Sequence, residues 1–169
     1  MNDLIIRPYQ PVDLEVCRNL WFELTDHHRK IYDDPTIGGD NPGLFFDQHL
    51  SRVGADKLWV AEYQDKVVGL TALIYQGEEA EIEPLIVASN YRDKGIGRAL
   101  LNYAVEQAKK LEVRYLSIRP VARNEEAIAF FYQSGFYLLG HIEMFMDLKP
   151  FKPDAWKSKV KLFGHHFGY

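Results

Sequence analysis

Long apolar runs and paired cysteines are both missing from this 169-residue chain. No stretch approaches the roughly 18 apolar residues of a membrane-spanning helix, and no basic segment followed by an apolar one opens the sequence. We therefore expect a protein that neither crosses a membrane nor carries a secretory signal, and that lies in the cytoplasm. The one cysteine, Cys17, has no partner for an internal disulfide. Its apolar neighbours on a predicted helix favour a small buried side chain over a catalytic thiol.

A basic surface over the whole chain is missing as well. The formal net charge is −4 at pH 7, which argues against nucleic acid as a partner. The charge is uneven, because residues 1–56 are acidic whereas residues 149–169 hold five lysines and a single acid, Asp154. The acidic front part fits the attraction of a cationic substrate, and it fits an ordinary solvated surface equally well.

Spacing typical of a metal site is also absent. The two histidine pairs, His27–His28 and His165–His166, consist of adjacent residues. Neighbouring side chains on a helix point about 100° apart, so such pairs rarely bind one ion, and no carboxylate is spaced to help them. We therefore expect no metal.

Apolar periodicity predicts a mixed α/β order, and a hydrophobic content of 47% is enough for a full core. One predicted helix starts at Pro11, one spans Leu44–Arg52, one follows Val87 with a buried face ending at Leu111, and one starts at Asn124. The predicted strands are Leu4–Pro8, Lys57–Tyr63, Lys66–Tyr75, Glu79–Val87, Arg114–Arg119 and Phe136–Leu148. We interpret residues 1–150 as the domain. Residues 151–169 form an aromatic, basic extension that docks on this domain or on a partner subunit.

The clearest chemical signal lies in residues 87–100, which run from an apolar strand through a glycine-bearing turn into an amphipathic helix. The first N–H groups of such a helix and its positive dipole end together bind phosphate. Gly95 and Gly97 let the backbone approach a pyrophosphate. Three basic residues add positive charge: Arg92, Lys94 and Arg98. We call residues 92–98 the phosphate cradle.

Two nucleotide-binding motifs are close to this pattern but incomplete. A dinucleotide fingerprint needs a third glycine where this chain has Leu100, and it usually follows the first strand of its domain. A P-loop needs Gly-Lys-Ser or Gly-Lys-Thr, whereas Arg98 and Ala99 follow Gly97 here. Neither nucleotide motif fits the cradle.

Residues 92–97, Arg-Asp-Lys-Gly-Ile-Gly, instead resemble the Arg/Gln-x-x-Gly-x-Gly/Ala signature of the GNAT superfamily of acetyl-CoA-dependent N-acetyltransferases. Residues 80–87 are similar to the fourth strand of that family. Residues 124–136 are similar to its Asn-x-x-Ala-x-x-Phe-Tyr-x-x-x-Gly-Phe helix and exit. The resemblance covers residues 4–148. It implies a central, mostly antiparallel sheet with a splayed strand pair, flanked by helices, and acetyl-CoA as co-substrate.

The resemblance also implies which residues contact the coenzyme. In relatives, the strand before the cradle keeps backbone amides free for pantetheine and the developing oxyanion, and that stretch is here Leu85, Ile86 and Val87. The cradle contributes the following residues: Arg92, Asp93, Lys94, Gly95, Ile96, Gly97 and Arg98. Asn124 matches an asparagine that contacts the coenzyme, a role compatible with capping a helix.

Acetyl transfer to an amine needs a deprotonated nitrogen, and two acids are candidates to receive its proton. Glu81 and Glu83 are two apart on one strand and so project from the same face, where either could take the proton or bind the ammonium. By position, Glu81 matches the base of histone-acetylating relatives, and Glu83 matches the acidic position of polyamine-acetylating ones. Glu83 is favoured because it lies nearer the cradle. Both also fit solvated residues at the end of a strand.

At the general acid the chain departs from the family it resembles. The family pattern has a tyrosine four residues before Gly135, and this chain has Phe131 there and Tyr132 one residue later. One position on a helix rotates a side chain by about 100°, so Tyr132 serves as the acid only if the helix end is shifted. Otherwise it is a partly buried tyrosine, and water protonates the thiolate.

Two functions stay open from the sequence. The first is an N-acetyltransferase that moves acetyl from acetyl-CoA to a primary amine, of a small molecule or a protein, by direct attack in a ternary complex. The second is a non-catalytic acyl-CoA-binding module, which the phenylalanine in place of tyrosine keeps open. A homodimer is compatible with both.

Overall fold

The computed structural model describes residues 3–146, 148 and 159–169. The chain forms two compact units, one that runs to Arg119 and one that begins at Pro120. The elements of the first unit are β1 (Leu4–Pro8), α1 (Leu14–Tyr32), α2 (Leu44–Val53), β2 (Leu58–Tyr63), β3 (Lys66–Gln76), β4 (Glu79–Val87), α3 (Ile96–Lys110) and β5 (Tyr115–Ile118). Those of the second unit are α4 (Glu125–Gln133), β6 (Lys159–Leu162) and β7 (His165–Gly168). None of the helices described is both long and apolar enough to cross a membrane.

The first unit is built on a five-stranded sheet in the order β1-β2-β3-β4-β5. Neighbouring strands are antiparallel except β4 and β5, which are parallel. Gln64 and Asp65 join β2 to β3, with φ of 52° and 59°. Two successive left-handed residues give a turn whose twist matches that of hairpin strands. The two strands therefore form a hairpin although neither residue is glycine.

Helices cover both faces of this sheet. On one face, Leu20 of α1 and Phe46 of α2 are buried in a cluster that includes Leu70 of β3. On the other face, Ile96 and Leu100 of α3 are buried in a second cluster. Burying each such side chain contributes about 1.5–3 kcal/mol. The mixed α/β class with a mostly antiparallel sheet, predicted from the sequence, is confirmed.

Cys17 is fully buried in α1, as its apolar neighbours predict. Burial raises the pKa of the Cys17 thiol to about 12. Because the thiolate is the nucleophilic form, this side chain is inert near neutral pH.

Two sequence predictions about the fold are wrong. Leu111 does not continue the buried face of α3 and is 39% exposed. The helix ends at Lys110 and Leu111 is its C-terminal cap, so it lies past the last turn that packs on the sheet.

The predicted strand Phe136–Leu148 is wrong for the residues that the structure describes in it. Residues 136–146 and 148 form no strand, and apolar side chains among them, such as Leu138 and Met144, are exposed. An apolar run becomes a strand only when a neighbour takes up its backbone hydrogen bonds. Among the described residues of the second unit, the paired strands are β6 and β7 instead.

The proposed C-terminal extension is described only in part. Phe151 and Trp156 lie outside the described residues. Phe163 is 75% exposed at the turn of the β6–β7 hairpin. The Tyr169 hydroxyl donates to Glu125 Oε1 at 2.9 Å, which ties the end of the chain to the first turn of α4.

Candidate active site

The phosphate cradle lies between β4 and α3. A single 3₁₀ turn over Ser89–Tyr91 leads to Asp93 and Gly95, whose φ angles are 59° and 78°. Gly95 is the N-cap of α3, where a side chain would add the steric cost of the left-handed region. In the described part of the chain, no group accepts a hydrogen bond from the N–H groups of residues 93–97. The entry to α3 therefore offers an anion a set of unpaired amides.

Each basic residue of the cradle has a different setting. Arg92 donates from Nε to the carbonyl oxygen of Val87 at 3.3 Å, which holds its side chain across the turn. Lys94 Nζ lies 4.9 Å from the centroid of the Tyr91 ring. Arg98 is exposed on the first turn of α3. These charges flank the unpaired amides and suit a bound pyrophosphate.

β4 and β5 separate shortly before the cradle. Their parallel pairing joins Glu79–Ile82 to Tyr115–Ile118, and it stops there although β4 continues to Val87. Among the described residues, the last five positions of β4 thus have a strand neighbour on the β3 side alone. This is the splayed pair that the family resemblance implies.

The alternation of the backbone decides which amides face the open edge. The N–H and C=O groups of successive strand residues point to opposite edges, and the Ala88 N–H donates to the Val68 carbonyl of β3 at 2.8 Å. Two residues earlier, Ile86 also faces β3, and its side chain is buried. The backbones of Leu85 and Val87 face the open edge. Of the three residues expected to contact the coenzyme through the backbone, Leu85 and Val87 therefore have the orientation needed to bind a ligand between the separated ends of β4 and β5.

A bulge in β4 separates the two candidate acids. Two residues of β4, Glu83 and Pro84, lie opposite one residue of β3, Ala72. Bulges are frequent next to active sites because they re-aim a side chain. Glu83 reaches α2, and Glu81 pairs with Ile74, which packs against the core beneath α1 and α2. Both carboxylates therefore lie on the same face of the sheet, as their spacing predicts.

Glu81 is the more buried of the two acids, with 5% exposure. Its Oε2 lies 3.3 Å from Arg119 Nη2 at the end of β5. Burial raises the pKa of Glu81, the Arg119 charge opposes this rise, and the nearby Glu83 charge adds to it. A carboxylate whose pKa is raised toward neutrality is a better general base there than an ordinary one.

Glu83 lines a cavity of about 250 Å³ that the sequence analysis did not predict. The other lining residues come from α1 and α2: Trp21, Phe45, Gln48, His49 and Arg52. Gln48, His49 and Arg52 follow Phe45 by three, four and seven positions, which is the spacing of a single helix face. This spacing is visible in the sequence, but nothing in it shows that the face lies opposite Glu83.

Three side chains of the cavity, Glu83, Arg52 and His49, form one linked set. Arg52 Nη2 donates to Glu83 Oε1 at 2.8 Å. His49 Nδ1 lies 3.3 Å from the same Nη2 and 3.7 Å from the same Oε1. Burial lowers the pKa of His49, so the ring is neutral at pH 7. Because a guanidinium only donates, Nδ1 accepts and the ring proton lies on Nε2. That nitrogen is buried, with no hydrogen-bond partner among the described residues.

The second unit carries the two remaining predicted site residues. Asn124 Oδ1 accepts a hydrogen bond from the Ala127 N–H at 3.1 Å, which confirms the predicted N-cap of α4. Phe131 is buried, with its ring centroid 6.1 Å from that of Phe136. Tyr132 is 65% exposed. The single-residue offset from the family pattern thus separates a buried ring from an exposed phenol.

Comparison with known proteins places this architecture in a family. The profile described as the acetyltransferase (GNAT) family matches residues 18–136, and the chain belongs to that family. An uncharacterized N-acetyltransferase of Methanocaldococcus jannaschii is 36% identical in an alignment 94 residues long, which covers 52% of this chain and 42% of the relative. The match therefore spans less than half the length of that relative.

Two solved structures show the same fold. Ard1 from Thermoplasma volcanium has a TM-score of 0.65 at 22% identity, covering 82% of this chain and 85% of its own. AAC(6′)-Iy, in complex with the bisubstrate analogue CoA-S-monomethyl-acetylneamine, has a TM-score of 0.60 at 15% identity, covering 85% of this chain and 97% of its own. At such identities the similarity shows the fold alone.

Proposed function

We propose that this protein is an N-acetyltransferase that moves the acetyl group of acetyl-CoA to a primary amine by direct attack in a ternary complex. The observation that carries the proposal is the order of features along the chain. Two carboxylates, an open backbone edge and the phosphate cradle follow one another within residues 81–98. Family membership supports acetyl transfer, and the name of the archaeal relative supports an amine acceptor.

The backbone before and after the end of β4 suits acetyl-CoA. The unpaired amides of residues 93–97 and the basic cradle side chains would hold the pyrophosphate. The open-edge amides of Leu85 and Val87 would bind pantetheine and stabilise the oxyanion that develops on the thioester carbonyl. Asn124 remains a proposed coenzyme contact. The CoA-derived analogue bound by a protein of the same fold supports this choice of co-substrate.

The two acids have different proposed roles toward the amine. Glu83 is partly exposed in the cavity and binds the ammonium, whereas Glu81 is buried with a raised pKa and takes a proton through water. The freed nitrogen attacks the thioester carbon, a C–N bond forms, and the C–S bond breaks. Of the two protons that the ammonium loses, one ends on the departing thiolate and the other in solvent.

Tyr132 is the proposed donor of the proton to the thiolate, because its phenol is exposed whereas Phe131 is buried. We expect Tyr132→Phe to lower turnover by about tenfold. This is below the range of about 10² to 10⁴ for general acids, since a thiolate leaves readily. The dissociation constant for CoA should stay nearly unchanged, because the interaction forms mainly in the transition state. Steady-state kinetics and calorimetry measure both effects.

Tyr137→Phe is the matched control, since Tyr137 is an exposed tyrosine of the same unit. It should leave turnover unchanged. Equal turnover in Tyr132→Phe and the wild type would withdraw Tyr132 as the acid. Phe131→Tyr would place a hydroxyl among buried rings, so we expect it to lower thermal stability rather than to supply the acid.

The proposal as a whole is tested by mixing the purified protein with acetyl-CoA and a panel of amines while free thiol is measured. Thiol release that depends on an added amine, with the acetylated amine found by mass spectrometry, is the expected result. Tight binding of CoA without thiol release from any acceptor would overturn the proposal. It would favour a non-catalytic acyl-CoA-binding module.

A further inference from the structure

The ion pair in the cavity leaves some polar atoms of each charged group without a contact among the described residues. Both close contacts to the Glu83 carboxylate are made through Oε1, by Arg52 and His49. Both contacts of the Arg52 guanidinium are made through Nη2. Within the part of the chain that the structure describes, Glu83 Oε2 and the Nη1 and Nε groups of Arg52 therefore remain available to a ligand.

These unused groups are accessible from solvent. The Arg52 side chain is 56% exposed and that of Glu83 is 39% exposed. His49, with a side chain 2% exposed, is held beneath them against Trp21, whose ring centroid lies 5.0 Å away. The cavity thus presents one acceptor and one set of donors, side by side, above a buried imidazole.

The remaining lining residues are two aromatic side chains and Gln48, and the space is small. Trp21 and Phe45 contribute aromatic surface, and the volume is about 250 Å³. Pockets for drug-sized ligands usually measure about 300–1,000 Å³. A compact molecule with a short apolar side chain suits this site better than an aminoglycoside does.

We infer that the acceptor is a zwitterion of the α-amino-acid class, with its ammonium on Glu83 Oε2, its carboxylate on Arg52 and an apolar side chain against Trp21 and Phe45. The inference rests on the proposed function. An α-amino acid carries its two charges on one carbon, which matches protein charges whose nearest atoms are 2.8 Å apart. Both ligand charges then gain charge-assisted hydrogen bonds.

Acceptors with cations alone suit the cavity less well. A polyamine would bring its second positive charge close to Arg52, and like charges in partly desolvated sites repel. A peptide N-terminus or a simple alkylamine has an amide or hydrogen where the amino acid has its carboxylate. The amide carbonyl offers the free N–H groups of Arg52 a neutral acceptor in place of a charged one, and the alkylamine offers them none.

Acetyl transfer to an α-amino acid forms one bond, breaks one bond and releases two protons from the ammonium. The α-ammonium loses two protons, a C–N bond forms to the acetyl carbon, and the C–S bond of acetyl-CoA breaks. One proton goes to the sulfur and one to solvent. The products are an N-acetylamino acid, whose carboxylate is unchanged, and CoA.

The test compares acceptors that differ only in the carboxylate. Thiol release from acetyl-CoA is measured with L-leucine and L-phenylalanine, with their amides, and with isoamylamine and phenethylamine. We expect kcat/KM for each amino acid to exceed that for its amide by about tenfold to a hundredfold, the usual effect of a hydrogen bond to a charged group. The amine of an amide is the less basic one and loses its proton more easily, so intrinsic reactivity alone would not produce this preference.

Arg52→Gln shows whether Arg52 causes the preference. In this variant the ratio of kcat/KM for L-leucine to that for L-leucinamide should fall to one or below, whatever happens to the absolute rates. Lys110→Gln removes one positive charge from an exposed site at the end of α3 and should leave the ratio at its wild-type value. An unchanged ratio in Arg52→Gln would overturn the assignment of the carboxylate to Arg52.

The experiments distinguish a wrong acceptor class from a wrong assignment of acetyltransferase activity. Thiol release with amides, alkylamines or peptides that equals or exceeds that with amino acids would overturn the zwitterion and leave the acetyltransferase intact. If no acceptor releases thiol, calorimetry with L-leucine and L-phenylalanine in the presence of CoA still tests the cavity. Binding to the wild type that Arg52→Gln weakens would support an amino-acid site, and no binding to the wild type would overturn it.

Discussion

Gly97→Glu is expected to raise the dissociation constant for CoA by about a hundredfold. Gly97 lies in the first turn of α3, next to unpaired amides, where a side chain would displace a bound pyrophosphate. The new carboxylate would also repel it. Two like charges about 5 Å apart cost about 3 kcal/mol at an effective dielectric constant of about 20, and each 1.4 kcal/mol is about tenfold in affinity. Calorimetry with CoA measures the effect directly.

The control for this variant is Asn102→Glu, which adds the same charge at an exposed position of the same helix, beyond its first turn. It should bind CoA with nearly wild-type affinity. Thermal unfolding of both variants shows whether the fold is kept. If folded Gly97→Glu bound CoA as tightly as the wild type, the assignment of residues 92–98 as the phosphate cradle would be wrong.

Features set by local pattern could be predicted from the sequence. β4 spans the predicted residues Glu79–Val87, because strand-forming residues between polar turns mark its bounds. The N-cap at Asn124 and the burial of Cys17 also follow from neighbours close in sequence. The positions of the two candidate acids on one face follow from the period of a strand.

Features that depend on pairing distant segments could not be predicted in the same way. The stretch 136–148 has the composition of a strand, but a strand also needs a partner, and composition does not supply one. The cavity joins Arg52 to Glu83 across 31 positions, and only the packing of α2 on the sheet brings them together. The bulge at Glu83 and Pro84 is a property of the β3–β4 register. The chemistry of the acceptor pocket is therefore visible only in the structure.

The second large effect is expected at the two acids, and the kinetic constants should separate their roles. Glu81→Gln keeps the shape of the side chain but cannot take a proton, so we expect kcat at neutral pH to fall by about 10²-fold, the lower end of the range for general bases. Glu83→Gln weakens the grip on the ammonium, so its main effect should be a higher KM for the amine. Glu79→Gln, at the exposed start of the same strand, is the matched control and should change neither constant.

The pH dependence of kcat identifies the base more sharply than the rate alone. A general base works as the carboxylate, so activity rises with pH through the pKa of that group. This rise is the acid limb of the pH profile. Burial raises the pKa of Glu81, so the acid limb should lie at a higher pH than that at which an ordinary glutamate, with a pKa of about 4.3, titrates. In Glu81→Gln the limb should vanish from the residual activity. If Glu81→Gln and Glu83→Gln both kept full activity from pH 6 to 9, neither acid would be the base, and the enzyme would select an amine that is already neutral.

Arg119→Gln should shift the acid limb of the pH profile while Glu81, the proposed base, stays in place. The positive charge of Arg119, 3.3 Å from Glu81, holds the pKa of Glu81 down against the effect of burial. Without that charge the pKa rises, so the limb should shift to higher pH while the plateau at high pH is kept. The shift should be small, because the Arg119 side chain is 74% exposed and water screens its charge. The same substitution in a Glu81→Gln background should produce no shift, since the group that titrates is gone. A shift that persisted in the double variant would assign the limb to another group and would remove Glu81 from the role of base.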